Sequence, residues 1–399
     1  MITSKQFIYR FSFINLLLIL SIITLNFGID AKAFHHDLGE KGFFPRTTEN
    51  SFLSKLHYLS SNKIDTIYFG SSRTEVGLPP NPSLVGGRTV YNAAVTGMGF
   101  WQLVPFIKHG VSLATPKQVV IGIDFFSFTS SEKEGNTDFD ASLLTADYMS
   151  YSINKNITEL KKALSFYSIG NSIQSLTSLF QGKSYDDTSE AFSFLGQRTP
   201  TKMHLMIEAQ GKGSKAFHKT IKDIYKNSFS DTKENESFQK FDQIAKFLCE
   251  NKISTKFYIH PVHALMTDIL RQKSLWIRVE NWKTELTRIA SNYQNRQCDI
   301  NIVDFSGYNS VTTESIADLS QSKTLNYYWE ASHYKSAVGE LILKRLFHEQ
   351  HDDIPQDFGY ELHQDTITSV LAQIRKEQSQ YTTHHSEEIR LAQTWSTQH

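Results

Sequence analysis

Five short, strongly apolar runs recur between longer helical patterns, and this alternation limits the folds open to the chain more than any other feature. The runs lie at 64–69 (IDTIYF), 89–94 (TVYNAA), 118–123 (QVVIGI), 256–260 (KFYIH) and 299–303 (DINIV). The third is apolar at nearly every position, as expected of a strand covered on both faces. Helical patterns fill 99–113, 237–251, 262–293 and 336–347. Strand, helix and strand repeated in this way predict a parallel sheet with right-handed crossovers and helices on both faces, an α/β domain spanning residues 50–348. Residues 130–235 break the rhythm with polar clusters (TSSEKEGNTDFD, FQGKSYDDTSEAF) around an amphipathic stretch at 157–180. This reads as a helical insertion after the third strand. Residues 349–399 read as a polar tail with one helix near 366–380.

The first 33 residues carry a different signal. Residues 1–10 contain Lys5 and Arg10 and no acid, and 11–27 (FSFINLLLILSIITLNF) is apolar apart from Ser, Thr and Asn. About 17–20 apolar residues can span a bilayer as a helix, so the segment fits either a short membrane anchor or a long signal-peptide core. Ala31-Lys32-Ala33 matches a small-x-small cleavage pattern and keeps the second reading open. Lys32, Lys41 and Arg46 follow the segment, but the acid-free basic start favours an inside N-terminus. The expectation is a single-pass membrane protein with its domain in the periplasm or extracellular space. The alternative is secretion after cleavage.

Lysine plus arginine equals aspartate plus glutamate, 41 against 41. No net field therefore favours nucleic acid or another acidic polymer. The 28 Phe and 17 Tyr fit a carbohydrate-facing groove or an aromatic-rich core. Cys249 and Cys298 form neither a disulfide framework nor a zinc pattern. Both fall at the end of the sheet opposite the strand-end motifs. There they either pair, closing a loop of about 50 residues, or stay separate buried thiols.

In an open α/β sheet, reactive groups collect beyond the carboxyl ends of the strands. Those ends here carry Gly70-Ser71-Ser72-Arg73, Val95-Thr96-Gly97, Asp124-Phe125-Phe126, His260-Pro261-Val262-His263 and Asp304-Phe305-Ser306. Glu330-Ala331-Ser332-His333 follows near the C-terminus. A serine hydroxyl needs a base within hydrogen-bond reach to act as a nucleophile. His333 is the candidate base, with Glu330 to orient its ring across one helical turn at i and i+3. Ser72 also fits a helix N-cap, and His333 a plain helix-start residue. Arg73, Asp124, His263 and Asp304 are candidates for the site wall, each with a scaffold role as the alternative.

These blocks resemble those of SGNH (GDSL-like) hydrolases. Gly70-Ser71-Ser72 is similar to the family's Gly-Asp-Ser block, with Ser71 in the Asp position. Glu330-x-x-His333 is similar to its Asp-x-x-His block, and Val95-Thr96-Gly97 to its second block. The nearest likeness is to bacterial membrane-anchored members that take part in alginate O-acetylation and teichoic acid D-alanylation. The resemblance implies a three-layer, flavodoxin-like sheet of five parallel strands in the order 2-1-3-4-5. It also implies Ser72 as nucleophile, His333 and Glu330 as its partners, and an oxyanion hole at the amides of Ser72 and Gly97. The family's third block supplies an Asn to that hole, whereas Asp124 stands there in this chain. No metal or cofactor is implied.

The function expected is O-acyl transfer to a cell-envelope polysaccharide through acyl-Ser72. Its partners would be an acyl donor, an envelope glycan and a membrane-bound acyltransferase. The alternatives are an extracytoplasmic esterase and a non-catalytic binding or scaffold protein.

Overall fold

The computed structural model describes residues 3–31, 43–45, 51–129, 135–183, 192–211, 213–226, 231–316, 325–347 and 353–397. The first helices and strands are α1 (Ser4–Ile29), α2 (Ser51–Ser61), β1 (Thr66–Phe69), α3 (Ser72–Gly77), β2 (Val90–Asn92), α4 (Phe100–Ala114), β3 (Gln118–Ile123) and α5 (Phe125–Thr129). There follow α6 (Tyr148–Ala163), α7 (Phe166–Phe180), α8 (Pro200–Ala209), α9 (Gly213–Lys226) and α10 (Asp231–Glu250). The chain then forms β4 (Ser254–Ile259), α11 (Ala264–Gln272), α12 (Trp276–Gln294) and β5 (Ile300–Asp304). It closes with α13 (Ser336–Leu346), β6 (Tyr360–Glu361), α14 (Ile367–His384) and α15 (Ser386–Thr397).

All six residues of β3 are buried, as are all of β1 and β2. Helices on both faces are the cause. Phe257 of β4 packs its ring against Phe241 of α10, while the next residue, Tyr258, hydrogen-bonds Thr74 of α3 on the other face. Along one face α2, α4, α10 and α12 contact one another in turn, and on the other α3 packs on α13.

The sheet order is β2-β1-β3-β4-β5-β6. The first five strands pair in parallel, including β1 with β3, where Thr66 sits beside Gln118. The sheet nevertheless has six strands and is mixed, not five and parallel. The extra strand comes from the segment read as a polar tail: β6 pairs antiparallel with β5, Val303 opposite Glu361. Two residues of pairing leave no period-2 pattern to detect in sequence. Ile374 and Tyr381 of α14 are buried, and α14 meets β6 where the Tyr360 hydroxyl donates to Glu377.

Two helical readings needed correction. The pattern at 262–293 is two helices, α11 and α12, with Ser274 between them in the left-handed region (φ 59°). The stretch at 157–180 likewise belongs to α6 and α7. Ser165 breaks it, because its hydroxyl caps the second helix by accepting from Ser168 N–H at 3.1 Å. Both breaks leave the apolar period intact on each side, so periodicity alone joins the pieces.

Cys249, at the end of α10, and Cys298, just before β5, form a disulfide with a Cα–Cα distance of 5.3 Å. Neighbouring β4 and β5 bring the two together. Helix α1 has 26 residues, a mean hydropathy of 2.1 over its most apolar window and mostly exposed side chains. At 1.5 Å per residue it is about 39 Å long, enough to cross a bilayer. Of the cleavage pattern, Lys32 and Ala33 lie outside the described residues, as do Lys41 and Arg46.

Candidate active site

Gly70 follows β1 with φ 156°, and a Cβ there would meet the Thr74 hydroxyl at 2.1 Å. Only glycine lets the chain turn so sharply into α3. Ser71 is the helix N-cap but makes no side-chain cap bond, and Ser72 is the first helical residue. The N-cap role weighed for Ser72 therefore falls to its neighbour.

The partner loop comes from the far end of the sequence. Gly77, at the end of α3, lies so close to the Tyr334 ring that a Cβ would meet it at 2.0 Å. This contact seats residues 328–334 against α3, which carries Ser72. The loop is not the helical turn that the i,i+3 spacing of Glu330 and His333 predicts. It is a narrow turn closed by bridging of Tyr328 with Tyr334 and by Trp329 N–H donating to His333 O at 2.9 Å. The Glu330 carboxylate folds back to accept from the N–H groups of Ser332 (3.0 Å) and His333 (2.9 Å).

That turn brings three sequence-distant groups into line. Ser72 Oγ lies 2.8 Å from His333 Nε2, and His333 Nδ1 pairs with Glu330 Oε1. The pairing sets the tautomer: Nδ1–H donates to the carboxylate, leaving Nε2 to accept from the serine hydroxyl. Glu330 is buried and His333 partly exposed. Burial pushes the Glu330 carboxyl up, but His333, the Thr220 side chain and the Ser332 N–H outweigh it and hold the group below its ordinary range. Ser71 Oγ is buried and has no hydrogen-bond partner among the described residues.

Val95 N–H donates to Gly70 O at 3.1 Å, so the Gly97 loop runs beside the serine turn. Gly97 has φ 73°. The N–H groups of Ser72 and Gly97 make no hydrogen bond among the described residues. Asn136 Nδ2 donates to Thr96 O at 2.8 Å and steadies this loop.

Arg73 and Asp124 belong to one bridge. Arg73 Nη1 pairs with Asp124 Oδ2 at 2.8 Å, and Arg73 Nε donates to Ser332 Oγ at 3.1 Å. The arginine thus joins the end of β3 to the histidine loop and compensates the aspartate charge. His263 is set back from the reactive groups. It is fully buried, caps α11 by accepting from Leu265 N–H at 3.2 Å, and bonds Glu314 O through Nε2. Burial lowers its pKa to about 4. Asp304 pairs with Lys283 at 2.6 Å and accepts from Ser306 N–H, a strand-end role.

No protein-family model matches the chain, and neither does any curated protein.

Sequence reasoning missed the layer that supports the site. Glu75, one turn after Ser72, is fully buried between Lys55 of α2 (2.9 Å) and Arg198 of the insertion (2.8 Å), and it also accepts from Thr96 Oγ1. Lys55 additionally donates to Ala94 O. This cluster ties the serine helix to the Gly97 loop. Glu75 at i+3 from Ser72 was a visible hint, whereas Arg198 sits in a polar stretch without any signal. On the other side, Thr74, Tyr258, Tyr334 and His260 form a buried chain of contacts of 2.9–3.2 Å beneath the triad. Desolvation keeps His260 neutral, well below the usual imidazole range. A small cavity of about 30 Å³ lies beside Asp124 between Phe126, Val262, Trp276 and Trp282.

Proposed function

We infer that the protein is a serine-dependent acyl-transfer enzyme of SGNH type, working on the outer side of a membrane and passing an acyl group through Ser72 to a hydroxyl of a cell-envelope polysaccharide. The observation that carries this reading is the Ser72–His333–Glu330 line, with Ser72 Oγ 2.8 Å from Nε2. His333 takes the serine proton as Ser72 Oγ bonds to the acyl carbon, and Glu330 stabilises the imidazolium. The tetrahedral oxyanion would sit at the amides of Ser72 and Gly97. Collapse expels the donor's leaving group with the proton from His333; an acceptor hydroxyl, deprotonated by the same imidazole, then attacks acyl-Ser72, and the second collapse breaks the Ser72 Oγ–acyl bond and returns the proton from His333 to Ser72 Oγ. The helix α1 and the disulfide both fit an extracytoplasmic location.

One feature favours a non-catalytic reading: Asp124 stands where the resemblance expects an Asn and is held by Arg73, so it offers the oxyanion no donor. A fluorophosphonate probe separates the two. Wild-type protein and Ser71→Ala should label, while Ser72→Ala and His333→Ala should not. Failure of the wild type to label, with no donor ester consumed, would leave the scaffold reading. Acetate release without an acceptor would identify an esterase.

A further inference from the structure

Helix α7 is built inside out, and its neighbour α6 exposes an apolar stripe as well. On α7, Ser168, Ser172 and Ser175 are the buried face, while Phe166 (91% exposed), Ile173 (55%) and Phe180 (87%) point outward. No Asp, Glu, Lys, Arg or His occurs in its 15 residues. On α6, Met149 (75%), Ile153 and Ile157 form an exposed stripe at four-residue spacing, and Lys161 and Lys162 close the last turn. A helix in water buries its apolar stripe and exposes its serines; the opposite arrangement is that of helices packed by small residues within lipid.

The serine face is turned toward α1. Ser172 Oγ donates to Asn26 Oδ1 at 2.8 Å, and Asn26 Nδ2 donates to Ala163 O at 2.7 Å, at the junction of α6 with α7. Asn26 and Ile29 are the buried residues of α1, so the helix docks by its last turns and projects its remaining length away from the domain. If α1 crosses a bilayer, its docked end is at the bilayer surface, and the exposed faces of α6 and α7 lie there with it. Helix α7 is about 22 Å long, too short to span a hydrocarbon core of roughly 30 Å but well suited to lying in its boundary.

We propose that α6 and α7 form an interfacial membrane-binding surface, with their apolar faces sunk into the outer leaflet beside α1 and Lys161 and Lys162 at the lipid phosphates. The surface rests on the membrane location inferred above, and it fixes the height and orientation of the catalytic domain over the bilayer.

The test uses the full-length chain in vesicles of phosphatidylethanolamine and phosphatidylglycerol. An environment-sensitive fluorophore is placed at Leu17→Cys in α1, Ile173→Cys in α7, Met149→Cys in α6 and Leu391→Cys in α15; the native cysteines are paired and do not react. Probes at 173 and 149 should be quenched by lipids brominated at shallow acyl positions more than by deeply brominated ones, matching burial about 5–10 Å into the headgroup–acyl boundary. Position 17 should be quenched by deep labels and position 391 by neither. Quenching at 17 but not at 173 and 149 overturns the surface and keeps the anchor, which would point to a protein partner for the apolar faces. Quenching at no position overturns both. Quenching at 173 and 149 without 17 supports the surface and removes the anchor.

Discussion

Glu330 is the residue on which the triad's geometry turns. It accepts the two backbone N–H groups of its own loop and the ring N–H of His333, so one carboxylate both shapes the turn and fixes the tautomer. Glu330→Gln can keep its amide oxygen on His333 N–H and Nδ1–H but loses the acceptor for Ser332 N–H, so the loop is retained with one bond fewer, and the stabilisation of imidazolium is weakened. Labelling by the fluorophosphonate should slow by about 10²–10⁴-fold, with an unchanged circular dichroism spectrum. A wild-type labelling rate in this variant would remove Glu330 from the mechanism. The pairing of Ser72 with His333 was legible because both motifs sit at predictable points around strand ends. The roles of His263 and Asp304 were not, since a polar residue at a strand end can face the site or cap a neighbour, and only packing decides.

At the scale of an element, α3 is held by the ion cluster beneath it. Burial by itself would raise the Glu75 carboxyl, but Arg198 and Lys55 bring it from 4.5 down to about 2. A depressed carboxyl stabilises the fold above its unfolded value, so this contribution is complete above pH 4.5 and is lost as pH falls from 4.5 through 2. Glu75→Gln leaves Lys55 and Arg198 without a counter-charge and should cost about 3–5 kcal/mol at neutral pH. In urea melts across that acid range, the variant should also show a shallower loss of stability than wild type. Equal pH dependence in the two proteins would assign the acid sensitivity elsewhere. Sequence reading found α3 through its motif but not its anchor. Lys55 and Arg198 are 20 and 123 residues from Glu75, and charged residues in polar contexts read as solvated until the fold buries them.

For the whole molecule, the disulfide staples the end of the sheet remote from Ser72. Closing a loop across a separation of 49 residues should contribute about 4 kcal/mol in the chain-entropy model. The double variant Cys249→Ser/Cys298→Ser should therefore lose about 4 kcal/mol of unfolding free energy in urea melts, yet label at Ser72 as fast as wild type. Slower labelling would mean that the staple also sets the active-site geometry. The pairing was one of two outcomes open in the sequence; the parallel neighbours β4 and β5 chose it by bringing the Cα atoms to 5.3 Å.

The sequence by itself determined the features that repeat or cluster locally. The alternation of apolar runs and amphipathic helices specified an α/β sheet, and the buried β1, β3, β4 and β5 fall where those runs lie. The length and apolarity of residues 4–29 specified a helix able to cross a membrane. Tertiary structure decided whatever depends on contacts between distant segments. It added β6 as a sixth, antiparallel strand, because two residues of pairing are stabilised by the edge of β5 and not by any pattern of their own. It placed Arg73 on Asp124 and buried Glu75 between two cations. It also turned the serines of α7 inward against α1, since a helix's apolar period marks a face but does not say what covers that face.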